Sequence, residues 1–289
     1  MTNAVLSGLL LGGMYALIAM GLTLQYGVAR IMNLAYGEVL IAAAFASHWL
    51  FTAWAVSPFV SLMLVIPGAF VANLAIYKWL LTPLVRRAPT RDALEVDSIL
   101  ATFGLTFIIQ GAMLALFGGA YYSYSYLAFP VHLASGTIAA NRLAALAVAV
   151  LLGTALYLML TRTRAGTAIR AVAVDPIAAE LVAIDVPRAC ALTFALGGAL
   201  VAGAGVLVST FLTFSASSGV IFTMKALIVV VMGGVGNILG CLIAGLALGL
   251  SEALVASYVD PGLTLAVNFA LFLTVLLVKP AGLFGRATR

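Results

Sequence analysis

Charge is what this chain has least of. Its 289 residues carry 14 Lys and Arg against 9 Asp and Glu, and only 8% of the whole is charged, where ordinary soluble domains hold roughly 25%. With 64% of the residues hydrophobic, there is too little polar surface to cover a globule in water. Cysteine is nearly absent too: Cys190 and Cys241 each fall at or within an apolar run, with no CxxC or Cys/His spacing. That pattern argues against a disulfide framework or a metal site and leaves two buried small hydrophobes. His48 and His132 stand in different segments without nearby carboxylates, which suits packing or interfacial roles. There is no GxxxxGKS/T phosphate loop, no GxSxG and no HExxH, so the chain has neither the P-loop device for ATP nor a nucleophile–base pair. It reads as a non-enzyme with no cofactor of its own. A net charge of +5 invites nucleic acid as a partner. The basic residues, however, sit in short loops beside apolar runs, which positive-inside asymmetry explains better.

What is present is hydrocarbon in membrane-sized lengths. Apolar runs near the 20 or so residues that an α-helix needs to cross a bilayer recur throughout, and none alternates over about ten residues as a barrel strand would. The expected fold is an all-α polytopic transmembrane bundle, one domain over residues 1–289. Its spans are 4–24 (retained, for want of a basic leader), 31–55, 59–80, 98–118, 143–160, 189–212, two crossings within 220–259, and 262–278. Gly8-x-x-x-Gly12 lets another backbone approach the first span. Tyr77-Lys78-Trp79 closes the third as an interfacial anchor. Thr102, Thr106 and Gln110, spaced by four, share a helix face that should meet protein or water. Residues 119–140 hold Tyr121, Tyr122, Tyr124 and Tyr126 but no Lys or Arg, as suits headgroup depth on the side opposite the basic loops. Loops 81–97 and 161–188 and the end with Lys279, Arg286 and Arg289 hold most of the basic residues, so all should be cytoplasmic. Parity then gives nine crossings within a range of about eight to ten, the N-terminus outside, and 31–55 and 220–233 as the short or broken ones.

The longest charge-bearing interval is Thr161 to Arg188, with Arg162, Arg164, Arg170 and Arg188 against Asp175, Glu180 and Asp185. Asp175-Pro176 is a helix-start signal, since Asp accepts from orphan N–H groups and Pro gives up a donor that would be unpaired. Pro176–Ile184 is predicted to be a helix of about nine residues, roughly 13 Å long. That is too short to span a bilayer and long enough to dock into a partner's groove. A connector lying on the membrane surface is the other reading of the same residues.

Three ionisable residues lie in apolar surroundings: Glu38, Lys225 and Glu252. Each costs roughly 2.5–3.5 kcal/mol at mid-membrane, so each needs a partner, a cavity or an interface. Lys225 pairs with Glu252 or Glu38 across the bundle on one reading; on another, Glu38 and Lys225 reach headgroups from helix ends. The run Gly233-Gly234-Val235-Gly236-Asn237 breaks an apolar stretch, and Asn33 to Glu38, including Tyr36, is a similar polar break. Broken helices are where transporters place their pathways.

LLLGGMYALIAMGLTLQYGVARIMNLAYGE (Leu9 to Glu38), GTAIRAVAVDPIAAELVAID (Gly166 to Asp185), MKALIVVVMGGVGNILG (Met224 to Gly240) and LVKPAGLFGR (Leu277 to Arg286) together resemble LivH-type permeases, the integral subunits of bacterial branched-chain amino acid ABC importers. The resemblance runs in order over nearly the whole chain. It implies that loop 161–188 contains a coupling helix, centred on Asp175, Pro176, Ala179 and Glu180 with Arg170 in the same loop, which docks onto a cytoplasmic ATPase. It implies a second permease subunit, paralogous or identical, two ATPases that bind ATP and Mg, a periplasmic binding protein, and residence in the bacterial inner membrane. The translocation pathway would then draw on Asn33, Tyr36, Glu38, Gln110, Lys225, Gly234, Gly236, Asn237 and Glu252. Three departures stand out. Tyr36 replaces a usual His, Leu181-Val182-Ala183-Ile184 replaces Leu-Leu-Gly-Ile, and Asn237 stands where Ser is usual. Leucine as the substrate is therefore open, relatives being associated also with other amino acids, amides, urea and aromatic acids. The competing function class is a self-sufficient secondary transporter or channel in which Glu38, Lys225 and Glu252 couple to ions.

Overall fold

Backbone without water to bond must satisfy its own N–H and C=O groups, and this chain does so by helix almost throughout. The computed structural model describes residues 2–88, 90–133 and 136–285. The first half comprises α1 (Thr2–Ala29), α2 (Tyr36–Trp54) and α3 (Pro58–Ile76), which passes through a π-helical turn into α4 (Thr82–Arg87), then α5 (Arg91–Phe117). The second half comprises α6 (Ala140–Arg162), α7 (Arg164–Val174), α8 (Pro176–Leu181), α9 (Val186–Ser209), α10 (Gly219–Gly233), α11 (Ile238–Tyr258) and α12 (Thr264–Val278). Between α5 and α6 a small antiparallel hairpin, β1 (Pro130–Leu133) and β2 (Gly136–Ala139), interrupts what was expected to be irregular loop. Among the described residues, seven helices are long and apolar enough to cross a membrane. Of the two remaining apolar helices, α10 has 15 residues and α2 has 19, with Glu38 and His48 diluting it. They stand where the sequence marks segments 31–55 and 220–233 as short or broken. Arg286 and Arg289 lie outside the described residues.

α9 forms the axis, with one unbroken run buried from Gly197 to Ser209. It runs antiparallel to α1, since Gly21 meets Gly197, Gln25 meets Phe194 and Val28 meets Cys190. α2 passes α9 on another side, with the Leu40 backbone against Gly205. α3, α5, α6 and α12 are peripheral and turn apolar side chains outward, among them Met63, Leu100, Leu151 and Leu277. Such faces are normal against lipid and would be aggregation sites in water. Cys190 and Cys241 are buried and unpaired with one another, as expected.

α1 and α11 show how small residues set the spacing. Without a hydrophobic drive between helices in lipid, close packing of backbones supplies the attraction. Gly8 and Gly12 face Gly245 and Gly249, a second small-residue stripe that the sequence reading passed over. A Cβ on Gly12 would lie 2.7 Å from Leu246 Cα, closer than atoms tolerate, whereas one on Gly68 in α3 would meet nothing within 4 Å. Gly12→Ala is therefore expected to lower thermal stability by about 1–3 kcal/mol, the usual range for overpacking. Gly68→Ala should leave it unchanged or slightly higher. Thermal unfolding of the two purified variants in detergent measures both; equal melting temperatures would show that α1 and α11 are not in backbone contact.

Candidate functional site

The second span does not begin where hydrophobicity begins. α1 ends at Ala29, Arg30 takes a left-handed φ of 55°, and no helix resumes until Tyr36. The Arg30–Ala35 stretch climbs inside the bundle. Its Leu34 meets Thr102, eleven residues on from Arg91 at the start of α5 (102 minus 91), and Tyr36 meets Gly197, eleven residues on from Val186 at the start of α9 (197 minus 186). At 1.5 Å per residue both measures put the start of α2 about 16 Å up the bundle, near the middle of a 30 Å core. Non-helical backbone survives at that depth only where protein satisfies it. Two threonines do so. Thr102 Oγ1 accepts from the Leu34 N–H at 3.1 Å and stands 3.0 Å from the Met32 carbonyl. Thr223 Oγ1 on α10 accepts from the Gly37 N–H at 2.8 Å and stands 3.3 Å from the Leu34 carbonyl. The expectation that Thr102 and Thr106 face protein holds, since both are buried. Gln110 is only half-buried, and no hydrogen bond among the described residues joins it to this site. Thr223 was missed, because a lone threonine in an apolar run carries no signal of its own.

Asn33 Nδ2 donates to Gln25 Oε1 at 3.2 Å, its Oδ1 accepts from the Ala35 N–H at 3.1 Å, and Gln25 Nε2 donates to the Phe194 carbonyl at 2.7 Å. The break is thus tied to α1 and α9. Tyr36 is fully buried, and its hydroxyl donates to the Ile18 carbonyl at 2.9 Å, with the Gly197 carbonyl at 3.2 Å. A hydroxyl here locks α1, α2 and α9 together without a group that ionises near neutral pH. Glu38, two residues further on, is fully buried with no hydrogen-bond partner on either carboxylate oxygen.

Lys225 and Glu252 form a second cluster. Lys225 Nζ lies 2.8 Å from Glu252 Oε1 and donates to the Tyr15 hydroxyl at 2.7 Å, while Asn268 Nδ2 donates to Glu252 Oε2 at 3.3 Å. Of the two expected pairings, Lys225 takes Glu252, and Glu38 is left out. The pair is the cheapest arrangement for two charges among apolar helices, each offsetting the other's desolvation. It joins α1, α10, α11 and α12. Tyr15 and Asn268 were not foreseen, although an Asn in a run as apolar as α12 was there to be read.

The glycine break lies elsewhere and does a different job. Gly234 and Gly236 have φ of 97° and 82°, conformations open to glycine. Together with Asn237 they turn the chain from α10 back into α11. Asn237 caps α11 through Gly240 N–H at 3.0 Å, and Gly236 N–H donates to Thr23 Oγ1 at 2.9 Å near the end of α1. The tail covers the turn: Leu283 N–H donates to the Met232 carbonyl at 2.7 Å and Asn237 Nδ2 to the Phe284 carbonyl at 3.2 Å. From the sequence this break is expected at membrane depth. It is instead a helical hairpin turn at one end of the bundle, and the interruption at depth is Arg30–Ala35. Gly runs mark tight turns as readily as broken spans.

That same end carries loop 161–188. The expected nine-residue helix is six residues, Pro176–Leu181, and an amphipathic helix, α7, precedes it. Asp175 caps α8 as read, accepting from Ile177 N–H at 2.9 Å and Ala178 N–H at 3.1 Å. The early stop has a cause. Ala183 adopts a left-handed φ of 61°, and Ile184 N–H bonds back to the Ala179 carbonyl at 3.1 Å, closing the last turn. A glycine at this position, as in the family the chain resembles, would take that φ without strain. Arg170, Asp175 and Glu180 are exposed and Pro176 half-exposed, whereas Ala179 turns inward and is buried. Four apolar side chains around α8 are bare: Val174, Ile177, Leu181 and Val182, each at least 68% exposed.

At the far end, loop 119–129 packs on the bundle. Tyr122 pairs by backbone with Phe214, whose ring lies 5.1 Å from Phe45, and His48 stacks among Tyr122, Tyr124 and Phe214 as a packing residue. Tyr124 bonds Ser209 at 2.8 Å, and burial raises its phenol above the ordinary 10. Tyr121 alone of these is largely bare.

Comparison with known proteins shows the family of the chain. A family described as branched-chain amino acid transport system, permease component, matches residues 4–276. The chain is 32% identical, over 97% of its length and 94% of the relative's, to the high-affinity branched-chain amino acid transport system permease protein LivH of Salmonella typhimurium, and equally to LivH of Escherichia coli K12. It is 30% identical to BraD of Pseudomonas aeruginosa over 98% of this chain and 95% of that protein. No solved structure matches.

Removing one member of the Lys225–Glu252 pair strands the other. Lys225→Met should cost about 3 kcal/mol, at the low end for an orphaned buried charge. Lys225→Met combined with Glu252→Leu should recover most of that loss. A double-mutant cycle from thermal unfolding reads the coupling; additive losses would mean that the two charges do not depend on each other.

Proposed function

The chain belongs to the permease family of branched-chain amino acid transport systems, and from that premise we propose that it is the membrane-spanning half of an ATP-driven importer of branched-chain amino acids or a closely related small solute. A periplasmic binding protein delivers the solute, and a second permease subunit completes the path. ATP and Mg are bound by two cytoplasmic ATPases, none of this machinery residing in the chain itself. Arg30, Arg86, Arg162, Arg188 and Lys279 flank the ends of α1, α4, α6, α9 and α12 on the side of α8, which supports a cytoplasmic orientation for that side.

The observation that carries this reading is α8 itself. It is short, capped at both ends and held on the bundle by Ala179, yet it presents Ile177 and Leu181 to solvent with Val174 and Val182 beside them. An apolar knob rimmed by Arg170, Asp175 and Glu180 has the make-up of a contact surface: a greasy centre for affinity and charged edges for register. α7 and α9 attach it rigidly to the axis of the bundle, so force applied to α8 reaches α9 and, through Gln25 and Asn33, the break before α2. Ile177→Asp with Leu181→Asp is expected to abolish copurification of the ATPase and ATP-driven uptake while membrane insertion is unchanged. Glu180→Lys should weaken copurification several-fold. Undiminished copurification and uptake in both variants would remove α8 from the coupling role.

A further inference from the structure

Among the described residues Glu38 is the charged side chain that is wholly buried, and both its oxygens lack a hydrogen-bond partner. Carboxylates so placed are normally paired or bonded, because solvation lost on burial must be replaced. Nothing among the described residues replaces it here. Lys225, six positions along α10 from Gly219, is held by Glu252 and Tyr15. Glu38 sits instead where two helices begin. It is in the first turn of α2, and its carboxylate lies against Gly219, the first residue of α10, so closely that any side chain there would collide with it. At the start of α2 the Gly37 N–H is taken by Thr223 Oγ1, but the start of α10 has no side-chain cap, Ser218 Oγ being engaged by the Ser215 N–H at 3.1 Å. An uncapped first turn such as that of α10 leaves N–H donors and the positive end of the helix dipole unspent.

A fixed carboxylate beside unused N–H donors is a complement to a zwitterion. We propose that Glu38 binds the α-ammonium group of an amino acid in transit, with the first turn of α10 receiving its carboxylate. This deepens the importer reading and rests on it. A divalent cation is a poorer occupant, since it needs several hard oxygen ligands, and no group of three His, Cys, Asp or Glu that could hold a metal occurs among the described residues. A primary ammonium has three donors and is served by one carboxylate with neutral oxygens around it. In this structure the position is shut. Entry requires the first turn of α10 to leave α2, which breaks the Thr223 contacts to Gly37 N–H and the Leu34 carbonyl. Gly219 and Gly37 make that joint close and featureless, and the part of α10 that must move is its start, ahead of the Lys225 anchor.

The test uses the whole complex in proteoliposomes with its leucine-loaded binding protein. Glu38→Gln keeps the shape and removes the charge. It should reduce ATP-driven leucine uptake at least tenfold while ATP hydrolysis stimulated by the binding protein stays within twofold of wild type. Glu38→Asp keeps the charge and draws it back, and should assemble normally while raising several-fold the concentration of loaded binding protein needed for half-maximal uptake. Wild-type uptake by Glu38→Gln would overturn the proposal, showing that the carboxyl serves without charge. Equal loss of hydrolysis and uptake in both variants would overturn it in favour of a purely structural role. Uptake that depends on sodium in the wild type and not in Glu38→Gln would overturn it in favour of an inorganic cation. Failure of the wild-type complex to take up leucine, isoleucine or valine on ATP, each delivered by the binding protein, would count against the importer reading instead.

Discussion

The structure depends on how a few residues of unbonded backbone are kept inside a hydrocarbon solvent. Arg30–Ala35 cannot bond to water at half the depth of the bundle, so other elements bond to it: Thr102 from α5, Thr223 from α10 and Asn33 through Gln25 to α9. Each such bond replaces one that lipid cannot offer. The consequence is that α2 starts in mid-bundle, α10 starts beside it, and the two starts meet at Glu38. A helix continuous from α1 would have been simpler to satisfy and would have left no pair of helix starts to meet inside the bundle. The interruption is the price of having a site at all.

Around that joint the rest is stiff. α1 is clamped to α11 by facing glycines and to α9 by Tyr36 and Gln25, and the Lys225–Glu252 pair fastens α10 to α11 below its first turn. Rigid elements with a single short helix between them suit a device that has two arrangements, since packed interfaces switch between states more readily than they stretch. The aromatic packing of Phe45, Tyr122 and Phe214 closes one end over the joint, and α8 stands at the other. On the proposed coupling role, energy enters at the α8 end and the polar joint lies between.

Much of this was legible in the residues. Composition and run length are dictated by the solvent, so the helical bundle followed from them, and Asp175-Pro176 named the start of α8 because capping is a local act. The Gly8 and Gly12 spacing named a close approach for a similar reason. What could not be read was tertiary. Whether a glycine run turns at a surface or breaks at depth depends on which residues lie beside it, and Gly234 and Gly236 look the same in either setting. Lys225 had two acceptors within reason, and only packing chose Glu252. Thr223, Tyr15 and Asn268 act through partners more than a hundred residues or a whole helix away, and such residues look ordinary until the fold brings their partners in. The length of α8 was missed by three residues because Ala183 takes a backbone conformation that its side chain disfavours.

The central claim is that a bundle without an engine is driven from the cytosol through α8. Its most direct test is placement of a single reactive thiol at Glu180, which the burial of Cys190 and Cys241 makes clean. In membranes, Glu180→Cys should react with an impermeant thiol reagent only from the cytoplasmic face, and should cross-link to an ATPase subunit with a yield that changes on adding ATP. Reaction from the opposite face, or no cross-link to a nucleotide-hydrolysing partner under any condition, would contradict the account.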